Sequence, residues 1–512
     1  MTRLDGLSSF DWPHGEEAFA RGAFLCADGP SVLRIILPIS NSAALFWIFR
    51  VAVRSLVLIA ALLLVPLAAL RAADTAKHER PNIVLIISDD QGAGDYGFMG
   101  HPHVRTPHID KLATQSLTFT RGYVTTSLCS PSLASIITGL YPHQHKITAN
   151  DPPAAAGVAK GGRGSSPELT AKWNAALDHL PTLPRLLAAE GYRSFQTGKW
   201  WHGDFTRGGF THGMTKGSRH GDAGLTIGRE GQQPIYDFVA EARRQQKPFL
   251  VWYAPFMPHT PHTPPDRLFR KYAPKTPSPH IARYWAMCEW FDETCGELVG
   301  YLERERLAEN TIVVYVADNG WVQSPDRAGF APKNKTTPFD RGHRTPIMVR
   351  WPARVSPAKN ESLASSIDIM PTLLAALDMR PPPGLSGINL LDAKAVAARK
   401  YVFGECFTVR SQSLDDPATN VLWRWVTDGR WRLILPRTCE SDAALHAIPR
   451  DNYLTPDLLA TLTAATPMLF DVEADPGEDQ NFADRHPQIV TKLRSELDKL
   501  WKPKTAGSKL DP

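Results

Sequence analysis

Four apolar runs of strand length constrain the fold of this chain more than any other feature of its sequence. The runs contain almost no alternation of polar and apolar residues, so each suits a central strand that is covered on both faces. Helical patterns separate the runs, which is typical of parallel strands joined by crossover helices. We therefore predict an α/β fold with a doubly wound, mostly parallel sheet. The predicted strands are 82–88, 192–197, 249–254 and 311–317, and the predicted helices are 108–116, 180–191 and 235–246.

The pattern of the sequence changes after about residue 395. Residues 401–409 indicate one antiparallel strand, and residues 423–435 indicate a hairpin with a turn at Asp428-Gly429. A helical pattern over 487–501 follows. We predict a catalytic domain at 80–395 and a smaller C-terminal α+β subdomain at 396–505.

The N-terminal part of the chain resembles an export signal. Residues 49–74 begin with arginines, continue with the apolar run Leu56–Leu70 and end in small residues, with cleavage expected near Ala72 or Ala73. The run has 15 residues, which is short for a stable membrane span, although an uncleaved anchor is the alternative. We predict that residues 1–73 are an N-terminal extension and signal peptide, and that the protein is periplasmic or secreted.

The charge of the chain does not indicate a nucleic-acid binder. The 57 Lys and Arg residues and 52 Asp and Glu residues give a formal net charge of +5 over 512 residues. No basic stripe is present in the sequence, whereas proteins that bind nucleic acids usually concentrate their basic residues. We do not expect a nucleic acid as a partner.

The cysteines give few disulfide options. Cys288 and Cys295 lie seven residues apart in a helical pattern, which places them about 10 Å apart and too far for a bond. Cys406 and Cys439 could pair in an oxidising compartment. Cys129 has no assigned partner, and the sixth cysteine, Cys26, precedes the predicted cleavage site.

Polar side chains follow all four predicted strands at the point where each strand ends. In open α/β sheets, ligand sites form beyond the carboxyl ends of the strands. The carboxylate and amide oxygens after the first and last runs suit a hard cation such as calcium or magnesium, whereas zinc prefers imidazole or thiolate. Ordinary turn and capping chemistry is the alternative. The residues, strand by strand, are Asp89 and Asp90; Lys199 and His202; His259 and His262; and Asp318 and Asn319.

Cys129 lies at the predicted start of a short apolar helix. Pro131 fits the first turn of that helix and Gly139 fits its C-terminal end. A helix N-terminus favours an anion, so one interpretation is a nucleophilic thiol of low pKa. The other is a small buried apolar side chain, which is the usual role of a free cysteine.

Seven segments, in this order, resemble the type I sulfatase family over roughly residues 80 to 500. The family signature contains a cysteine that is converted to formylglycine, and Cys129 occupies that place. The resemblance implies an alkaline-phosphatase-like fold and a bound calcium ion. The segments are PNIVLIISDDQG (81–92), CSPSLASIITG (129–139), TGKWWH (197–202), MPHTPHTPP (257–265), VADNG (316–320), KTTPFDRGHRTPIMVRWP (335–352) and LFDVEADPGEDQNFA (469–483).

The resemblance also implies a role for each strand-end residue. The calcium ligands would be Asp89, Asp90, Asp318 and Asn319, together with the group made from Cys129 by a formylglycine-generating enzyme. One hydroxyl of the formylglycine hydrate would attack sulfur, a histidine would protonate the leaving oxygen, and the second hydroxyl would then expel sulfate. An additional tryptophan, Trp201, separates His202 from its usual place two residues after the lysine. The catalytic set implied by the family is Cys129, Lys199, His202, His259 and Lys335.

One residue departs from the family signature. The family has arginine two residues after the signature proline, and this chain has Leu133 there. The change removes one positive charge beside the carboxylates. It bears on both the modification of Cys129 and the turnover of the substrate. Arg344, His145 and Lys146 are the candidates to replace that charge.

We therefore expect a calcium-dependent sulfatase that acts on a sulfated carbohydrate. Two alternatives stay open. A phosphoester hydrolase of the same superfamily would need a second, histidine-rich metal site if zinc-dependent, and Asn319 beside Asp318 argues against it. A protein that binds sulfated glycans without cleaving them is favoured only by Leu133.

Overall fold

The central feature of the computed structural model is an eight-stranded sheet with strand order β4-β3-β5-β1-β6-β7-β2-β8. The structure describes residues 80–155, 157–158, 164–437 and 466–503, all within the unit His78–Pro512. The predicted signal peptide, Cys26 and Cys439 lie outside these residues. The strands are β1 (Asn82–Ser88), β2 (Leu117–Tyr123), β3 (Arg193–Gly198), β4 (His212–Gly213), β5 (Phe249–Ala254), β6 (Thr311–Ala317), β7 (Arg344–Arg350) and β8 (Ala358–Ser365).

The sheet is mostly parallel, as predicted. β1 pairs in parallel with both β5 and β6, and β3 continues the parallel order on the far side of β5. β7 is the exception, because it runs antiparallel to β6 and to β2. The four predicted strands are therefore confirmed, whereas β2, β4, β7 and β8 were not predicted. β8 begins with exposed polar residues and β2 contains Thr118, Thr120 and Arg121, so neither strand is a continuous apolar run.

Two hydrophobic cores cover the two faces of the sheet. Alternate residues of β1 enter opposite cores: Ile83 and Leu85 pack on one side, and Val84 and Ile86 on the other. This alternation explains why a strand with no polar face is needed at the centre. The helices of the described residues are α1 (Pro107–Thr114), α2 (Cys129–Thr138), α3 (Pro142–His145), α4 (Pro167–Asn174), α5 (Leu183–Ala189), α6 (Gln233–Arg244), α7 (Asp266–Tyr272), α8 (Pro279–Arg304), α9 (Ile369–Ala376), α10 (Ala393–Ala398), α11 (Pro417–Asn420) and α12 (Pro487–Leu500).

The helices divide between the two cores. Residues of α2, α5 and α9 belong to the core that contains Ile83, and residues of α1, α6 and α8 belong to the core that contains Val84. In the long helix α8, Cys288 and Cys295 are buried as separate free thiols, which confirms that they do not pair. No helix within the described ranges is long and apolar enough to cross a membrane.

The C-terminal residues form a second, antiparallel sheet of four strands, β9 (Val402–Phe407), β10 (Val421–Thr427), β11 (Trp431–Pro436) and β12 (Met468–Asp471), in the order β12-β11-β10-β9. Leu493 and Leu497 of α12 pack in one core with Val426 and Leu433. The predicted hairpin and final helix are confirmed. The boundary between residues 395 and 396 lies inside α10, so the division into two domains stays a prediction.

Cys406 of β9 is a buried free thiol. Its Sγ lies 3.6 Å from the hydroxyl of Ser127 and 3.4 Å from Nε2 of His343. The structure thus gives no support to a disulfide with Cys439.

Gly198, the last residue of β3, sets the direction in which the chain leaves the sheet. Its φ of 76° lies in the left-handed region, and a Cβ built there would be 1.9 Å from the carbonyl oxygen of Ala254. Only glycine adopts this conformation at such a close backbone approach without cost. Lys199 follows directly, so this turn determines the position of its side chain.

We predict that Gly198→Ala destabilises the fold by about 3 kcal/mol, because it adds both left-handed strain and an overlap with β5. Urea unfolding followed by circular dichroism measures the difference. The matched control is Gly94→Ala, where an added Cβ has no neighbour within 4 Å. Equal unfolding free energies for the two variants would contradict this account of the turn.

Candidate active site

The polar residues that follow β1 and β6 lie side by side because these strands are parallel neighbours in register. The backbone N–H of Asp318 donates to the carbonyl of Ser88 at 2.8 Å, and the N–H of Asp90 donates to a carboxylate oxygen of Asp318 at 3.0 Å. Asp90 has a φ of 62°. This turn ends the strand and brings the carboxylates of both Asp89 and Asp90 to one cluster.

Cys129 is the first residue of α2 and lies within the same cluster. The Nζ atoms of Lys199 and Lys335 are each 3.1 Å from its Sγ, and Oδ1 of Asn319 is 3.4 Å from it. Lys199 follows β3, and Lys335 belongs to the segment that precedes β7. Residues from four separate parts of the sequence thus meet around one sulfur atom.

The cluster contains more negative than positive charge. Lys199 forms ion pairs with Asp89 and, at 3.6 Å, with Asp318, while Lys335 pairs with Asp90. Three carboxylates and two ammonium groups leave one negative charge without a counter-charge. All five side chains are buried, the most exposed being Lys335 at 8%. Buried charges are costly unless they are paired, so an additional cation would stabilise this arrangement.

The pKa values of the two adjacent aspartates move in opposite directions. Burial raises the pKa of Asp89 well above its usual value, and the nearby carboxylates of Asp318 and Asp90 add to this effect against Lys199. Burial would also raise the pKa of Asp90, but Lys335, followed by His259 and Lys199, outweighs it and lowers the pKa. Of these two aspartates, Asp89 is the one whose charge is less compensated by the protein.

Burial raises the pKa of the Cys129 thiol to about 12, although Lys199 and Lys335 act in the opposite direction. The unmodified thiol is protonated at neutral pH in this environment. The structure therefore does not support the interpretation of Cys129 as a nucleophilic thiol of low pKa.

The oxygen atoms of the cluster fit a hard cation. One carboxylate oxygen of each of Asp89, Asp90 and Asp318 is buried without a hydrogen-bond partner. Buried polar atoms normally have a partner, so these three oxygens indicate a missing ligand. Ligand atoms of Asp89, Asp90, Cys129 and His259 lie within 4.8 Å of one another. The carboxylate oxygens suit a hard cation such as calcium, whereas the thiol and the imidazole of this group are ligands that zinc prefers.

His259 is part of the cluster. Its Nε2 lies 3.4 Å from Oδ2 of Asp90, and its Nδ1 lies 2.5 Å from the carbonyl oxygen of Thr260. The ring of Phe256 stacks on the imidazole, with 4.2 Å between the centroids. The structure thus places His259 among the carboxylates, whereas His262 contacts Tyr284 and Trp321 instead.

His202 lies outside the cluster. Its Nε2 is 3.1 Å from the hydroxyl of Ser130, and its Nδ1 is 3.2 Å from the carbonyl oxygen of Trp173. Trp201 lies beside Lys199 instead, with the Lys199 Nζ 4.9 Å from its ring centroid. The additional tryptophan in this segment therefore places an indole where the family pattern predicts an imidazole.

Leu133 is buried in the apolar core beside Cys129. None of the three candidates to replace its charge makes a described contact with Cys129. His145 bonds to Ser135 and Ile147, Lys146 is exposed, and Arg344 lines a cavity together with Trp321 and Arg341. Within the described residues, the positive charges at the sulfur atom come from Lys199 and Lys335.

Two residues around Lys199, Phe256 and His220, were not identified from the sequence, whereas Trp201 was noted there as an additional tryptophan. Nζ of Lys199 lies 5.5 Å from the Phe256 ring centroid, and the His220 ring contacts both Trp201 and Phe256. The unusual Trp-Trp pair was the available signal for Trp201. His220 has no motif around it, so only the fold could place it here.

Comparison with known proteins agrees with the fold. The sulfatase family model matches residues 81–379. The chain is 26% identical to an N-acetylgalactosamine-6-O-sulfatase of Bacteroides thetaiotaomicron, covering 82% of this chain and 93% of that protein. It is 28% identical to human arylsulfatase A, covering 83% and 88% of the two chains.

Solved structures share the fold at lower identity. A putative sulfatase of Bacteroides fragilis superposes with a TM-score of 0.63 at 19% identity, covering 83% of this chain and 96% of that one. A phosphonate monoester hydrolase of Agrobacterium radiobacter gives a TM-score of 0.60 at 18% identity, covering 82% and 95%. From the match to the family model and the curated relatives, the chain belongs to the sulfatase family and is a sulfatase enzyme.

Proposed function

We propose that this enzyme releases sulfate from a sulfated carbohydrate, with a formylglycine made from Cys129 and a bound calcium ion. One observation carries the proposal: Cys129 lies between two lysine ammonium groups and beside three buried carboxylates, each with an oxygen that has no hydrogen-bond partner among the described residues. A sulfate ester is an anion, so cationic groups are needed near the nucleophile to bind it. The nucleophile itself must be held in a fixed position relative to the sulfur atom.

The calcium ligands proposed are the oxygens of Asp89, Asp90, Asp318 and Asn319 together with the group formed from Cys129. Calcium, when bound, supplies two positive charges that offset the carboxylates and attract the sulfate group. Lys199 and Lys335 hold their ammonium groups at the same point, and their own ion pairs keep them protonated. For both lysines burial would lower the pKa, but the surrounding carboxylates raise it instead.

The raised pKa of the thiol supports a precursor role for Cys129. A protonated, buried thiol is a weak nucleophile, whereas a formylglycine hydrate supplies a hydroxyl nucleophile and a second hydroxyl for release of the product. The N–H of Ser130 donates to Oδ1 of Asn150 at 2.9 Å, which fixes the first turn of α2 and the position of residue 129. Despite Leu133, we propose that a formylglycine-generating enzyme modifies this cysteine.

A cavity of about 380 Å³ next to the cluster supports a carbohydrate as the substrate. Gly92 and Trp321 line it, and each lies two residues after a proposed calcium ligand. Trp285, Arg341 and Arg344 also line the cavity. Tryptophan rings pack against sugar faces, and guanidinium groups bind anionic substituents. The names of two relatives, an N-acetylgalactosamine-6-O-sulfatase and an ulvan-active sulfatase, agree with this class.

We also propose that the enzyme is periplasmic or secreted. The proposal is supported by the signal-like segment 49–74 of the sequence.

A phosphoester hydrolase is the second candidate function, because a phosphonate monoester hydrolase shares the fold. Within the described residues, one group of metal-capable side chains is present, and it contains a single histidine.

We predict that Cys129→Ala lowers sulfate release from 4-methylumbelliferyl sulfate and N-acetylgalactosamine 6-sulfate by at least about 10⁴-fold, because the nucleophile is lost. Ion chromatography measures the sulfate. The matched control is Cys295→Ala, which removes another buried free thiol far from the cluster. Sulfate release by Cys129→Ala at a rate near that of the control would refute the mechanism. If the wild type released phosphate from 4-nitrophenyl phosphate faster than it released sulfate from the two sulfate esters, the phosphoester hydrolase would be favoured.

We predict that Asp318→Asn reduces bound calcium from about one ion per chain to below about a tenth, because it removes a charged ligand oxygen. Elemental analysis of the purified protein measures the content. Chelation should also lower the melting temperature of the wild type but not of the variant, since the ion binds only the folded state. Asp292→Asn, which changes a buried carboxylate of α8 outside the cluster, is the control. Full calcium in Asp318→Asn would contradict the ligand assignment.

A further inference from the structure

Of the two imidazoles that the family pattern predicts at the cluster, those of His202 and His259, the structure places that of His259 there and that of His202 outside it. Both ring nitrogens of His202 have partners outside the cluster, Ser130 and the carbonyl of Trp173. The ring also packs against the Trp173 indole at 5.0 Å. His202 is therefore a positioning residue for the start of α2, because Ser130 is adjacent to Cys129.

A different histidine, His220, lies at the pocket. Its ring is 4.7 Å from the Trp201 ring, 5.4 Å from Phe256 and 6.0 Å from His259, measured between centroids. Trp201 and Phe256 are also the two rings closest to the Lys199 ammonium group, at 4.9 and 5.5 Å. His220 thus lies against the two rings that flank Lys199 and near His259, and it is only partly buried.

The neighbours of His220 fix its protonation. Nη1 of Arg219 donates a hydrogen bond to Nε2 of the imidazole. A guanidinium group cannot accept a hydrogen bond, so Nε2 must carry the lone pair and the proton must be on Nδ1. Asp151 holds Arg219 in place through contacts of 2.7 Å to Nε and 3.3 Å to Nη2. Among the described residues Nδ1 has no hydrogen-bond partner, so its N–H is available to a ligand.

Charge and burial keep this imidazole neutral. Burial, followed by the positive charges of Lys199 and Arg219, lowers the pKa of His220 to about 2. The ring therefore acts as a hydrogen-bond donor through Nδ1–H rather than as an imidazolium.

The backbone holds His220 in a strained conformation at this place. Its φ of 75° is in the left-handed region, which costs a residue with a Cβ free energy and is concentrated at functional sites. The N–H of Trp200 donates to the carbonyl of His220 at 3.1 Å. A Cβ on Gly221 would lie 2.2 Å from the carbonyl oxygen of Gly198, so the loop packs directly on the turn that carries Lys199.

Trp201 adds a second unpaired donor beside His220. Its indole Nε1 is buried and has no hydrogen-bond partner. The indole nitrogens of Trp252, Trp351 and Trp425 are also buried without a partner, so the donor of Trp201 counts only because it lies beside Lys199 and His220. The oxygens of a sulfate ester are acceptors that suit such a donor.

We propose that His220, held by Asp151 and Arg219, replaces His202 in this enzyme and donates a hydrogen bond from its Nδ1–H to the leaving oxygen of the sulfate ester, which departs as an anion when the S–O bond breaks and then takes a proton from water. The proposal rests on the proposed sulfatase site around Cys129. Negative charge develops on the leaving oxygen as the S–O bond breaks, so a donor aimed at it stabilises the transition state more than the ground state. Asp151 and Arg219 are positioning residues, because they act through the imidazole.

The test compares His220→Asn with His220→Gln on 4-nitrophenyl sulfate and phenyl sulfate, using calcium-loaded, modified enzyme. The Asn amide can place an N–H near the Nδ1 position, whereas the Gln amide reaches toward Nε2. We expect His220→Gln to lower kcat/KM for phenyl sulfate by about 100-fold and for 4-nitrophenyl sulfate by less than about 5-fold, because the poorer leaving group depends more on the donor. His220→Asn should restore at least about a tenth of the phenyl sulfate activity, and Arg219→Gln should behave like His220→Gln.

A purely structural role would give a different result. His202→Gln disturbs the position of Cys129, so it should lower kcat/KM for both esters by the same factor. The proposal would be overturned if His220→Gln lowered kcat/KM by the same factor for both esters. It would also be overturned if the loss of kcat/KM depended more on the leaving group in His202→Gln than in His220→Gln.

A binding measurement separates this proposal from the proposed function. Calorimetry with inorganic sulfate on the calcium-loaded protein needs no turnover, and one sulfate oxygen stands in for the ester oxygen. We expect about 10-fold weaker sulfate binding by His220→Gln than by wild type. Unchanged sulfate affinity overturns the role of His220, even where no ester is hydrolysed. If the wild type releases sulfate from no ester, the proposed function is refuted. The calorimetric titration with sulfate still tests whether His220 contacts the sulfate group.

Discussion

The arrangement on which the rest of the site depends is the burial of three carboxylates with only two lysines around Cys129. The parallel pairing of β1 with β6 forces Asp89, Asp90 and Asp318 into one place, and the lysines neutralise two of their charges. Such a group is stable only if every buried charge is balanced. The remaining charge and the three oxygens without a hydrogen-bond partner support the proposed cation site, and the same lysines are the groups proposed to attract an anionic ester.

The position of the cysteine follows from the same geometry. α2 begins where the polar ends of the strands meet, so its first residue is held between Lys199 and Lys335. Leu133, in the place of the family's arginine, lies in the core and adds no charge to the site. The two lysines are consequently the positive groups that contact residue 129 in the described structure. Under the proposed function, these two lysines supply the positive charge for the sulfate group with one guanidinium group fewer.

Much of this architecture could be predicted from the sequence, for a physical reason. Central strands buried on both faces must be apolar throughout, so β1, β3, β5 and β6 were visible as runs, and the residues after them had to share one edge of the sheet. β2 and β8 were not visible because their polar residues interrupt the pattern. The histidine that lies near Lys199 could not be predicted from residue spacing. One additional tryptophan moves His202 away from the cluster, and His220 lies on a loop that carries no motif.

The account makes Cys129 the precursor of the catalytic group, and the mass of the peptide that contains it tests this claim most directly. The protein should be purified from its native host and digested before mass spectrometry. Conversion of the thiol to the aldehyde lowers the mass of the peptide by about 18 Da, and we predict that this form predominates. A peptide that carries only the unmodified thiol, in a preparation that releases sulfate, would contradict the account.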